Sequence, residues 1–207
     1  MKTILAIIVG IIIVEISLPS AAEGNVSPDI ARQLPAGYHV IASAHLAAGK
    51  PVRSYEIVVL GRNDEDSLPS ASKGAPARPL IVFEKRDGQF VAAGRNDHVV
   101  MKADEGGQCD PFLDGDATIA LKGRYFTIEN GVACGQHWTD YISFRLDDLT
   151  GSFVFDNERR EAWELNPSND PSAEVLVRAG PPRTIRGRSG KPTPFVAWRP
   201  TELRLTQ

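Results

Sequence analysis

Tyr141-Ile142-Ser143-Phe144-Arg145-Leu146 alternates polar and apolar side chains without a break. Successive side chains of a strand point to opposite faces, so Ile142, Phe144 and Leu146 share one side and Tyr141, Ser143 and Arg145 the other. One side of such a strand is core and the other meets solvent, which is the pattern of an antiparallel sheet. The strand reads upstream to Trp138, and Leu149-Thr150-Gly151 turns the chain before the next apolar run at Phe153. Moving outward, Lys122-Gly123 separates Leu121 from Tyr125, and Arg86-Asp87-Gly88-Gln89 separates Phe83 from Phe90. Both spacings suit hairpins.

Short runs rich in β-branched and aromatic residues recur along most of the chain. They predict strands at Tyr38 to Leu46, Tyr55 to Leu60, Leu80 to Glu84, Phe90 to Ala92, Val99 to Lys102, Ala117 to Leu121, Tyr125 to Glu129, Trp138 to Leu146, Ser152 to Asp156, Ala162 to Leu165 and Glu174 to Arg178. No long stretch carries a 3.6-residue apolar period, which argues against α/β crossover units. Ser27-Pro28-Asp29 places a capping residue before a proline and an early acid, so Pro28 to Leu34 should form a short helix that Pro35 stops. The fold class implied is mainly β: an antiparallel sheet, sandwich or meander with a short N-terminal helix and a proline-rich C-terminal extension.

Two segments depart from the strand pattern. Arg62 to Arg78 is polar and rich in Ser, Ala, Gly and Pro, the composition of an exposed loop. From Asn166 onward seven prolines remove backbone donors, so this tail is expected to wrap as extended coil on the same domain. Its basic cluster, Arg183, Arg186, Arg188 and Lys191, suits either a solvated tail or an acidic partner or lipid headgroup.

At the N-terminus, Lys2, the apolar run Ile4 to Val14 and the small residues Ser20-Ala21-Ala22 have the form of an export signal, with cleavage expected near Ala22/Glu23. An apolar run of about 11 residues is shorter than the roughly 20 that span a bilayer. The expected organisation is a signal peptide at 1–22, a β-rich domain at 23–165 and the tail at 166–207, located in the periplasm or outside the cell with no integral membrane span after cleavage. The net charge is −3, and it stays so without the leader, which carries one base, Lys2, and one acid, Glu15. That balance does not suit a general nucleic-acid binder.

Cys109 and Cys134 are the only cysteines. An even pair in an oxidising compartment reads as one disulfide, which on the chain-entropy model stabilises by roughly 3 kcal/mol for a loop of about 25 residues. The competing reading is a Cys134 nucleophile served by His137. Two neighbours in one short loop seldom supply both groups, and an exported free thiol tends to oxidise.

Ser54-Tyr55-Glu56-Ile57-Val58-Val59-Leu60, Arg78-Pro79-Leu80-Ile81-Val82-Phe83, Ala93-Gly94-Arg95-Asn96-Asp97, Cys109-Asp110-Pro111-Phe112 and His137-Trp138-Thr139-Asp140-Tyr141-Ile142-Ser143-Phe144-Arg145 follow one another in order. From about Tyr38 to Phe155 this succession resembles that of a loose group of uncharacterised exported bacterial β-rich proteins. The resemblance implies a β-rich exported domain and carries no activity with it. That group often opens on an aspartate-rich repeat similar to calcium-binding integrin-type blades. This chain has Ala48-Gly49-Lys50-Pro51-Val52-Arg53 there, without the acids that would hold calcium.

The densest run of carboxylates is Asp104, Glu105, Asp110, Asp114 and Asp116. Calcium needs several oxygens converging on one point, and the alternate spacing of an EF-hand loop is absent, so a solvated acidic loop tied by Cys109 is the simpler reading. His137 and Asp140 lie three apart on a strand candidate and so face opposite ways. No Gly-x-Ser-x-Gly elbow occurs, and no histidine has a neighbour at zinc-ligand spacing. Arg95-Asn96-Asp97 reads as a turn capped by its own side chains, with Arg95 also able to anchor a ligand carboxylate. Trp138, Tyr141, Trp163 and Trp198 are either core or the raw material of a binding surface.

These observations favour binding over catalysis, with no metal or cofactor and with another protein as the expected partner. The concrete form is a periplasmic immunity or inhibitor protein, whose contact residues would be Asp110, Asp114, Asp116, His137, Trp138, Tyr141 and Arg95. The alternative is an envelope-polymer hydrolase using His137 and a carboxylate such as Asp110 or Asp140. Oligomeric state is not legible in the sequence.

Overall fold

The structure is a computed structural model that describes residues 26–65, 74–114, 118–134, 137–168, 170–188 and 190–200. The leader expected at 1–22 and the centre of the Arg62 to Arg78 loop lie outside the described residues. A short helix, α1 (Pro28–Ala31), precedes a four-stranded meander of β1 (Tyr38–Ala48), β2 (Arg53–Arg62), β3 (Arg78–Arg86) and β4 (Gln89–Val100). The second sheet holds β5 (Ile119–Lys122), β6 (Tyr125–Val132), β7 (His137–Asp147) and β8 (Ser152–Leu165), paired in that order. Two short strands of the tail, β9 (Leu176–Arg178) and β10 (Arg183–Arg186), pair with the far edge of β8. All pairings are antiparallel. Among the described residues no helix is long and apolar enough to cross a membrane.

The two sheets face each other across one core. Ile57, Val59, Leu80 and Val82 from the first meet Phe126, Ile128, Ile142, Phe144 and Leu146 from the second. Each fully buried side chain of this size contributes roughly 1.5–3 kcal/mol. Phe144 is central: its ring lies 5.2 Å from both Phe126 and Phe195 and 6.0 Å from Trp198. β7 follows the alternation of its sequence without exception, with every second residue from Trp138 to Leu146 buried.

β2 and β3 instead bury nearly continuous runs, because α1 covers the outer face of the first sheet. Ile30 packs there with Val58, Leu60, Ile81 and Phe83. The helix ends three residues earlier than its sequence suggests. Asp29 and Gln33 serve the edge of β4: the Phe90 N–H donates to Asp29 Oδ2 at 2.5 Å, Gln33 Nε2 donates to the Phe90 carbonyl at 2.7 Å, and the Ala92 N–H donates to Gln33 Oε1 at 3.2 Å. An edge strand otherwise presents such groups unpaired.

Three expectations are modified. Phe90 to Ala92 and the first two residues of Val99 to Lys102 belong to one strand, which ends at Val100, and Arg95-Asn96-Asp97 is not a turn but lies within β4. The triplet is tolerated because Asn96 turns inward to bind the tail, while Arg95 and Asp97 pair on the outer side at 2.7 and 2.9 Å. The charged run from Asp156 to Glu161 likewise joins two strand candidates into β8, with a register shift between Ser143 and Phe144 absorbing Asp156. β9 falls within the strand expected at Glu174 to Arg178, but the rest of the tail, read as extended coil, also contains β10 and a 3₁₀ turn at Phe195–Ala197. Thr193 accepts from the Phe155 N–H at 2.8 Å, and beyond it Phe195 and Trp198 enter the core.

Candidate functional site

The loop between β4 and β5 is closed by the Cys109–Cys134 disulfide, whose Cα atoms are 6.1 Å apart. Its centre is a buried ion-pair cluster. Arg78, 2% exposed at the start of β3, donates through Nη1 to Asp110 Oδ1 at 2.6 Å, through Nη2 to Asp110 Oδ2, and through Nε to Glu65 at 2.8 Å. Asp110 Oδ1 also accepts the N–H groups of Phe112 and Leu113. Burial pushes the Asp110 carboxyl upward, but the hydrogen bonds and charge of Arg78 and those N–H groups outweigh it, and its pKa falls below the ordinary value. For Glu65 burial dominates and the pKa rises despite Arg78. Asp110 is thus occupied in holding the loop to β3, while Asp114 is exposed and Asp116 lies outside the described residues. Asp104 is also engaged, accepting the Gly74 and Ala75 N–H groups at 3.1 Å. Among the described residues no three His, Cys, Asp or Glu side chains gather as a metal site requires.

β7 divides the other sequence candidates between its two faces. Trp138 and Asp140 point inward, where Trp138 packs with Met101 and Val132 and carries the Arg160 guanidinium 5.0 Å from its ring centre. His137, Thr139 and Tyr141 point outward and are half-buried. His137 and Asp140 therefore do not meet, and His137 has no side-chain hydrogen bond among the described residues. Burial first, then Glu129, raises the Tyr141 pKa.

On this outer face the register aligns Glu129, Tyr141, Arg159 and Thr184 in one row, and Gly131, Thr139 and Glu161 in the next. Glu161 is held between Arg159 and Arg178, the latter at 3.2 Å, and His137 lies opposite Trp163. No helix packs over this face among the described residues. On β10 Arg186 shares the side of Thr184 and Arg183 takes the opposite one; both are exposed and without an ion pair among the described residues.

A further site, not singled out in the sequence, lies at the opposite end of the sandwich. A cavity of about 200 Å³ opens between the start of β2, the end of β3, the start of β8 and the 3₁₀ turn of the tail. Tyr55 is paired with Glu84 across β2 and β3, and Arg53 and Arg86 follow two residues along on the same face. Glu84, 5% exposed, accepts from Arg53 Nη1 at 3.1 Å and from Arg86 Nε at 2.8 Å, so one buried carboxylate holds two guanidinium groups. The Tyr55 hydroxyl and Arg53 Nε are buried with no hydrogen-bond partner. Leaving such a group unsatisfied costs about 1–3 kcal/mol. Burial raises the Tyr55 pKa, with Arg53 opposing and Glu84 adding to the rise. Arg53 two residues before Tyr55, and the charged residues at alternate positions of Glu84-Lys85-Arg86, were the available signal; the cross-strand register that brings them together is not visible in either segment alone.

The chain matches no family model, and comparison with curated proteins and with solved structures gives no match.

Proposed function

We propose that this chain is an exported recognition protein whose partner is another protein, acting in the periplasm or outside the cell as an inhibitor or immunity protein does, by covering a site on a toxin or hydrolase. The observation that carries this reading is the outer face of the second sheet, over which no helix packs among the described residues, with Tyr141 and Trp163 among paired charges and the disulfide-tied loop at its end. Five strands about 4.8 Å apart, with about eight residues each at about 3.3 Å, span roughly 600 Å². The adjoining loop with Asp114 brings this near the roughly 800 Å² that each side of a standard protein–protein interface buries. Half-buried aromatics ringed by charges are the composition of such contacts. The export signal expected at 1–22 and the Cys109–Cys134 disulfide support a partner outside the cytoplasm.

The test is site-specific photocrosslinking of the full chain in its native cells, with the crosslinker at Tyr141 or, as a control at the opposite end, at the exposed Leu149. A discrete adduct with one protein from Tyr141 and none from Leu149 is expected, and Arg159→Glu should reduce its yield at least several-fold. Absence of any discrete adduct at Tyr141, or equal adducts at both positions, would refute this reading.

A further inference from the structure

We infer that the cavity bounded by Arg53, Tyr55, Glu84 and Arg86 binds a small organic monocarboxylate with a compact apolar body. This site goes beyond the protein-recognition reading and does not depend on it, since it lies at the other end of the sandwich.

The charge balance selects an anion. Two guanidinium groups share a single carboxylate, and Asp148, which also acts on Tyr55, is itself paired with Arg124 at 2.8 Å, which leaves one positive charge in excess at the mouth. Arg53 spends Nη1 on Glu84, and its remaining Nε–Nη2 edge has the spacing that receives a carboxylate through two parallel hydrogen bonds. Nε on that edge is buried and unsatisfied, and so is the hydroxyl of Tyr55, whose ring centre lies 5.9 Å from the Arg53 guanidinium carbon. Both atoms are closed to solvent, so a ligand carboxylate supplies their acceptors once the Arg53 and Tyr55 side chains shift to admit it. The buried Glu84 disfavours a dianion such as phosphate, because a second negative charge would stand against it with no further cation to offset it.

The remaining walls describe the rest of the ligand. Val82, Phe153, Phe195 and Val196 line the cavity, and its floor at Gly94 is narrow. A methyl group added at Gly94 would come within 3.0 Å of Val196 Cγ1 and 3.3 Å of Phe195 Cδ1. At Gly151 it would strike the Arg53 guanidinium at 2.3 Å, so the glycine is what lets Arg53 lie against the backbone. About 200 Å³ is below the roughly 300–1,000 Å³ of sites for drug-sized molecules, so the ligand is small. One wall belongs to the tail, which Asn96 holds in place by donating to the carbonyls of Phe195 and Trp198 at 2.5 and 3.0 Å.

The test is calorimetric titration of the purified protein with benzoate, benzamide and inorganic phosphate, with amide NMR shifts recorded alongside. Benzoate should bind saturably at one site and shift Gly94, Gly151 and Phe195, while benzamide and phosphate bind at least tenfold more weakly. Tyr55→Phe, which keeps the ring in the core, should weaken benzoate about tenfold, and Arg53→Met should weaken it further. If Arg53→Met does not fold, the benzamide comparison and Tyr55→Phe decide the matter. No saturable benzoate binding, equal affinity for benzamide, preference for phosphate, or shifts elsewhere than this cavity would each overturn the proposal.

Discussion

Arg78 shows how a single side chain connects sequence to surface. It begins a strand that is otherwise apolar, and burying a guanidinium without partners would be prohibitive. Asp110 and Glu65 supply those partners, and in doing so the acid that looked most available for binding becomes part of the scaffold. The pH dependence follows from the Asp110 shift. Its folded pKa lies below the unfolded value of about 3.9, so its contribution is complete above that value and is lost as pH falls through the folded pKa. Glu65, with a raised pKa, has the opposite sign: its contribution is present below its unfolded value and is lost as pH rises through the folded one. Asp110→Asn should therefore lower stability at pH 7 and flatten the loss of stability below about pH 4. Urea unfolding between pH 2.5 and 7 measures both, and an unchanged acid limb would show that the Arg78 pair is not the source.

At the scale of elements, polar triplets decide where strands continue. Asn96 sits where alternation alone would put an apolar core residue, and its amide holds the tail through two carbonyls. Its Oδ1 also accepts the His98 N–H at 2.9 Å, so the side chain serves its own strand as well. Asn96→Ala removes these bonds, although the Phe195 carbonyl keeps the Trp198 N–H at 3.2 Å and the Trp198 carbonyl keeps Arg199 Nη1 at 2.8 Å, so the cost is about 0.5–1.5 kcal/mol for each bond lost. The local consequence should exceed the global one: limited proteolysis should cut near Pro194 to Pro200 several-fold faster, while the β-sheet circular dichroism is retained. Equal cleavage rates would mean that Phe195 and Trp198 packing alone holds the tail. The turn at Asp87 and Gly88 shows the converse, a feature legible locally. Both residues have positive φ, 49° and 85°, as a two-residue hairpin of this kind requires.

Across the whole molecule the disulfide joins the β4–β5 loop to the segment entering β7, and Cys109 packs beside Met101, Val132 and Trp138. Replacing both cysteines with serine should lower stability by about 3 kcal/mol, on the loop-entropy model, and leave the opposite cavity intact. Urea unfolding of the double variant checks the magnitude, and a change below about 1 kcal/mol would show that the loop is already restrained by Arg78 and Phe112. The proposed recognition surface is the outer face of the second sheet and the cavity opens between the two sheets, so each is testable without disturbing the other.

By itself the sequence determined the strands with a clear two-residue period, the glycine turns, the start of the helix and the pairing of its two cysteines, because each depends on neighbours a few positions away or on a count of two. It did not reveal that β4 and β8 run on through Asn96 and through Asp156 to Glu161, since only a partner strand or a docked tail makes a polar residue acceptable there. Nor did it bring Arg53 and Tyr55 to Glu84 and Arg86. Those relations are set by cross-strand register and by which face meets the second sheet, and both arise only when segments distant in the chain pack together.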